Sequence, residues 1–93
     1  METKQGKVTD YDLRSYYENQ KIKYLFVLEI DENYEFKTYL SQEEYTNFVS
    51  KILRGFQVSQ MIEIVNKDIT FEVDANDVLT KILLHNYVEL ENK

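Results

Sequence analysis

Residues 22–40 constrain the fold of this chain most. Apolar side chains occupy every even position from Ile22 to Ile30, stop at Asp31, Glu32 and Asn33, and resume at Tyr34, Phe36 and Leu40. A period of two is the signature of a strand with one face against a core. A three-residue turn over 31–33 pairs Ile30 with Tyr34, Leu28 with Phe36 and Tyr24 with Leu40, which makes one face apolar. Slipping the register by one residue would turn every side chain to the wrong side, so the pairing is tightly specified. The opposite face carries Leu25, Val27 and Tyr39, with Glu29 opposite Glu35. Two facing carboxylates repel, which puts them in water toward the turn. Leu25 and Val27 imply that the first strand is partly covered on both sides.

A second alternation, IEIVNKDITFEV, spans residues 62–73. With Asn66 and Lys67 at the turn, Ile64 faces Ile69 and Ile62 faces Phe71, again one apolar face. Asn66 tolerates a left-handed backbone, whereas Lys67 stands where glycine is usual.

Three segments begin as helices begin: an apolar residue, a capping side chain, an acid three residues on, and a second apolar residue. They start at Thr9, Ser41 and Asp74. The middle one is best supported. Tyr45, Phe48, Val49, Ile52, Leu53 and Phe56 form one helical stripe, with Lys51 and Arg54 in the last turn and Gly55 available for the left-handed exit. The first helix is expected over about 9–20, with Leu13, Tyr16 and Tyr17 on one side. The third is expected over about 75–86, with Val78, Leu79, Ile82 and Leu83.

The expected order is therefore α-β-β-α-β-β-α. The expected architecture is α+β, a four-stranded, mainly antiparallel sheet with helices packed on one face. The tail YVEL, 87–90, is expected to add an edge strand or trail loose, and residues 1–8 and 91–93 to fray. The two ββα halves match weakly at an offset of 33, with Ser41 on Asp74, Tyr45 on Val78 and Val49 on Ile82. Phe48 falls on Lys81 and breaks the match, and shared capping rules produce as much similarity as duplication would.

At 93 residues the chain is expected to form one small domain with a single core. It has no cysteine, which excludes disulfides and thiolate metal sites. Its opening, METKQGKVTDYD, has no apolar run before the first acid, so no secretory leader is expected. The longest apolar run, YLFVL at 24–28, is far short of the ~20 residues of a membrane span. A cytoplasmic protein without membrane contact is the expectation. Lys, Asn, Ile and Tyr have AT-rich codons, so their abundance points to a low-GC bacterium, its phage or another mobile element.

The net charge is −6. Direct nucleic-acid binding is not expected, because a grip on phosphates needs clustered Lys and Arg. An acidic surface suits a basic protein partner instead.

Signals for chemistry are sparse. The one histidine, His85, would sit at the end of the third helix, with no nucleophile or orienting acid indicated beside it. DENYEF, 31–36, opens like a calcium loop, but Phe36 stands where glycine is needed and Gln42 where glutamate is needed. Two glycines, Gly6 and Gly55, do not make a phosphate loop. No catalytic, cofactor-binding or metal-binding residue is nominated.

What the sequence nominates is a surface: Leu25, Val27 and Tyr39 beside Glu29, Glu32 and Glu35, with Glu63 and Glu72 expected to point the same way. The reading that follows is a small acidic, non-enzymatic interaction or accessory protein, working through a sheet face or as a homodimer. The alternative is an acidic nucleic-acid mimic that inhibits a DNA- or RNA-binding protein. A third reading, an enzyme or small-ligand binder, would rest on His85 and the tyrosines.

Overall fold

The structure is a computed structural model and describes residues 1–92. The 22–40 hairpin forms in the expected register. Strand β2, Lys21–Ile30, pairs with β3, Tyr34–Ser41, so that Ile30 meets Tyr34, Leu28 meets Phe36 and Tyr24 meets Leu40. Phe26, Leu28, Ile30 and Phe36 are buried by this face. The chain then enters helix α1, Gln42–Phe56. Ser41 accepts the Glu44 N–H through its hydroxyl, and the Glu44 carboxylate accepts the Ser41 N–H. The helix exits through Gln57, whose φ of 58° is left-handed. Gly55 does not serve as the exit. It lies buried inside the helix, where an added Cβ would stand 2.7 Å from a Leu84 side-chain carbon.

The rest of the expected architecture is overturned. The sheet has six antiparallel strands rather than four, in the order β3-β2-β1-β4-β5-β6, and α1 is the one α-helix among the described residues. Residues 9–20 are not helical. They belong to β1, Glu2–Glu18, whose first part pairs with β4, Asp68–Val73, and whose remainder pairs with β2. Residues 1–8, expected to fray, are thus mostly held in the sheet, and Val8 is fully buried. The segment carries Tyr11, Tyr16, Tyr17, Thr3, Thr9 and Val8, residue types that suit a pleated surface. It also covers what would otherwise be two exposed sheet edges.

Residues 62–65 are not a strand either. Met61–Ile64 is a 3₁₀ turn that buries Ile64 and leaves Ile62 exposed, so Ile62 does not face Phe71. Ile69, Phe71 and Val73 do share the buried face of β4, as the alternation implied, but its neighbours are β1 and the strand over 79–83. Residues 75–86 form no helix. Asp74 accepts the N–H groups of Asn76 and Val78, as a cap would, but the chain turns back into β5, Leu79–Leu83. Asp side chains favour such turns for the same reason that they favour caps. The tail supplies β6, Glu89–Glu91, an edge strand paired with β5. Of the ends expected to fray, Lys93 lies outside the described residues.

The sheet coils until its two edges approach each other. Asn92 spans the gap: its side chain accepts the Lys37 N–H (3.1 Å) and donates to the carbonyls of Glu35 (3.0 Å) and Leu79 (2.9 Å). The core fills the concave side, where α1 inserts Ile52 and Phe56, and Phe48 meets Phe26 edge-on.

Candidate interaction face

The convex side of β1, β2 and β3 is built by the pleat. Residues paired across an antiparallel sheet point the same way, so the registers arrange four rows. Tyr16, Lys23 and Ser41 form the first; Arg14, Leu25 and Tyr39 the second; Asp12, Val27 and Lys37 the third; Asp10, Glu29 and Glu35 the last. Five of the six nominated residues, Leu25, Val27, Tyr39, Glu29 and Glu35, therefore meet on one face. Glu32 does not join them. It sits in the turn with φ at 59°, and its N–H donates to the Thr9 hydroxyl.

The two middle rows join an apolar strip, Leu25, Val27 and Tyr39, to Arg14, Asp12 and Lys37, and the last row is acidic. Leu25 and Val27 are half-buried and Tyr39 is 61% exposed, with Tyr16 touching its ring edge-on. Lys23 bonds Glu18 at 3.0 Å, which holds its ammonium charged to higher pH than usual. Arg14 pairs with Asp12 along the same strand. Glu29 accepts the Thr9 hydroxyl proton at 2.8 Å. Glu72 does point away from the core, but from β4, outside these three strands, and Glu63 lies off the sheet. The Glu63 carboxylate takes the N–H groups of Ser59 and Gln60, and Glu72 stands on β4 between Thr3 and Lys81.

Arg14, Asp12, Asp10 and Tyr16 are not legible as members of this face in the sequence, because their segment reads as a helix. A signal was present: Asp10, Asp12 and Arg14 alternate with Tyr11 and Leu13, charged out and apolar in.

His85 is exposed on the β5–β6 connection, where its N–H donates to the Gly55 carbonyl. It borders an open groove of about 1020 Å³ whose walls include Lys7, Gly55, Phe56, Lys67 and Leu84. Asp31, in the segment that resembles a calcium loop, is engaged by the chain itself, accepting the Lys7 N–H at 2.9 Å. Among the described residues no group of three or more His, Cys, Asp or Glu could hold a metal ion.

A further polar cluster crosses the coiled sheet. Lys4 donates to the Tyr34 hydroxyl at 3.1 Å, Tyr34 donates to Asp77 at 2.8 Å, and Lys4 pairs with Asp77 at 3.2 Å. The Tyr34 bond and then Asp77 raise the Lys4 pKa. The same Tyr34 bond and then Lys4 lower that of Asp77. Both groups are thereby fixed in their charged forms near neutrality, which suits a strut rather than a proton carrier.

No helix among the described residues is long and apolar enough to cross a membrane. Comparison with known proteins gives no matching family model, no curated relative and no matching solved structure.

Proposed function

We propose that this chain is a small non-enzymatic protein-interaction module that works through the convex face of β1, β2 and β3. The observation that carries the reading is the meeting of Leu25, Val27 and Tyr39, from two strands, in one apolar strip flanked by Arg14, Asp12 and Lys37. An apolar, aromatic centre within a charged rim is the usual anatomy of a protein contact. A cytoplasmic setting accords with a chain that has no cysteine to bridge. The mimic reading asks for a run of carboxylates spaced like phosphates. Here Arg14, Lys23 and Lys37 interrupt the acids on the same face, which favours a mixed protein contact.

The test compares two baits, the wild-type chain and Leu25→Glu/Tyr39→Ala, each exposed to lysate of the source cells. Retained proteins are purified and titrated against both. At least one should bind the wild-type chain directly and lose about tenfold or more in affinity for the variant. Equal retention and equal affinity for both would remove this face from the function.

A further inference from the structure

The face has a polarity that selects its occupant. Along β2 it runs from Lys23, which Glu18 also pairs, through Leu25 and Val27 to Glu29; the last row adds Asp10 and Glu35, and the two middle rows carry Arg14, Asp12 and Lys37 beside the apolar residues. Along β2 these residues are symmetric about Phe26, which points to the core: Leu25 and Val27 lie one step away, Lys23 and Glu29 three.

We infer that the occupant of this face is a second copy of the chain, stacked face to face with its strands antiparallel to the first. The inference rests on the reading of the face as an interaction surface. A two-fold axis lying in the face, perpendicular to the strands and passing over Phe26, sets each side chain on a complementary one. Lys23 meets the second copy's Glu29, and Leu25 meets its Val27. On β1 the same operation sets Arg14 on Asp12 and Tyr16 on Asp10. On β3 it sets Tyr39 on Lys37, an ammonium against an aromatic ring, and Ser41 on Glu35. An axis parallel to the strands would instead stack Lys23 on Lys23 and Glu29 on Glu29, which repel. Self-complementarity of one patch is what a two-fold interface requires, and aligned packing is an ordinary way for two sheets to meet.

The size of the face sets the strength. Three strands about 4.8 Å apart, with rows about 6.8 Å apart, cover roughly 400 Å² per copy. Doubled, this is below the roughly 1,200 Å² at which stable interfaces begin. The dimer is therefore reversible and concentration-dependent, and its charge pairs make it weaken as salt rises.

Sedimentation velocity across a concentration series tests this. The wild-type chain should pass from monomer to dimer. Lys23→Glu and Glu29→Lys should each weaken the dimer about tenfold or more, and the double swap K23E/E29K should restore it, since each reversed charge again meets its opposite. Because Glu29 also bonds Thr9 and Lys23 also pairs with Glu18, thermal unfolding confirms that each variant is folded, and a second measurement leaves both residues intact. The chain has no cysteine, so reduced Leu25→Cys and Val27→Cys chains can be oxidised each alone and as an equimolar mixture. The mixture should cross-link faster than either alone. A monomer at all concentrations, a double swap as weak as the singles, or a mixture that cross-links no faster would each overturn the dimer. If the chain stays monomeric while Leu25→Glu/Tyr39→Ala still loses a different protein, the dimer falls and the interaction reading stands.

Discussion

Lys4, Tyr34 and Asp77 come from three distant parts of the chain and hold one another's charge. Tyr34 also rests its ring against Phe71, 4.9 Å between centroids, so the polar cluster is tied to the core. The pH dependence follows from the two directions of shift. Asp77 has a lowered folded pKa, so its contribution to stability is complete above the ordinary carboxylate range. That contribution is lost as pH falls through the folded value. Lys4 has a raised pKa, so its contribution is complete below the ordinary lysine value and is lost as pH rises through the folded one. Asp77→Asn isolates the acid limb, and asparagine accepts the left-handed φ of 62° found there. In urea titrations the variant should be less stable than the wild-type chain at pH 7, and the gap should narrow as the pH is lowered to 3. A gap that stays constant would show that the carboxylate carries no pH-dependent stability.

At the scale of elements, what the sequence reveals depends on where the ladder is regular. The β2–β3 hairpin has no bulge, and its pairs are those that alternation implies. The capping box of α1 is equally local, Ser41 and Glu44 acting within one turn. The two segments that imitate helices each border a bulge. In β1 the register shifts between Val8 and Asp10, so the core-facing residues Val8 and Tyr11 stand three apart. Between β4 and β5 the shift beside Val73 leaves Leu79 and Ile82 both buried, again three apart. An extra residue converts a period of two into a step of three, the spacing of a helix turn. The candidate face divides the same way. Leu25, Val27 and Tyr39 could be placed from the regular hairpin, whereas Arg14 and Tyr16 could not, because they lie beyond the bulge. Gln57 holds a left-handed backbone that costs an L-residue energy and glycine none. Gln57→Gly should stabilise the protein by about 0.5–1 kcal/mol in chemical denaturation. A loss of stability would mean that the Gln57 side chain matters more than its backbone.

The whole molecule depends on bringing the two edges of the coiled sheet together. Asn92 does this with one side chain, taking a proton from Lys37 and giving two to Glu35 and Leu79. Asn92→Ala removes all three bonds and should cost about 2–3 kcal/mol, measured by urea unfolding. It should also speed amide exchange at Lys37 more than at Phe26, which lies on the central side of the sheet. Exchange at Lys37 left unchanged would mean that the edges stay together without the asparagine. The bond from Asn92 to Glu35 spans 57 residues of sequence, while the β2–β3 hairpin and α1 are continuous in the chain. A junction between such remote segments gains nothing until both have found their places. It is thus a latch, expected to fasten late in folding, as the still more remote β1–β4 pairing is, and to open early when the native molecule breathes. A protease waiting for such an opening would make its earliest cut beside β6 and leave the hairpin and helix as the surviving fragment.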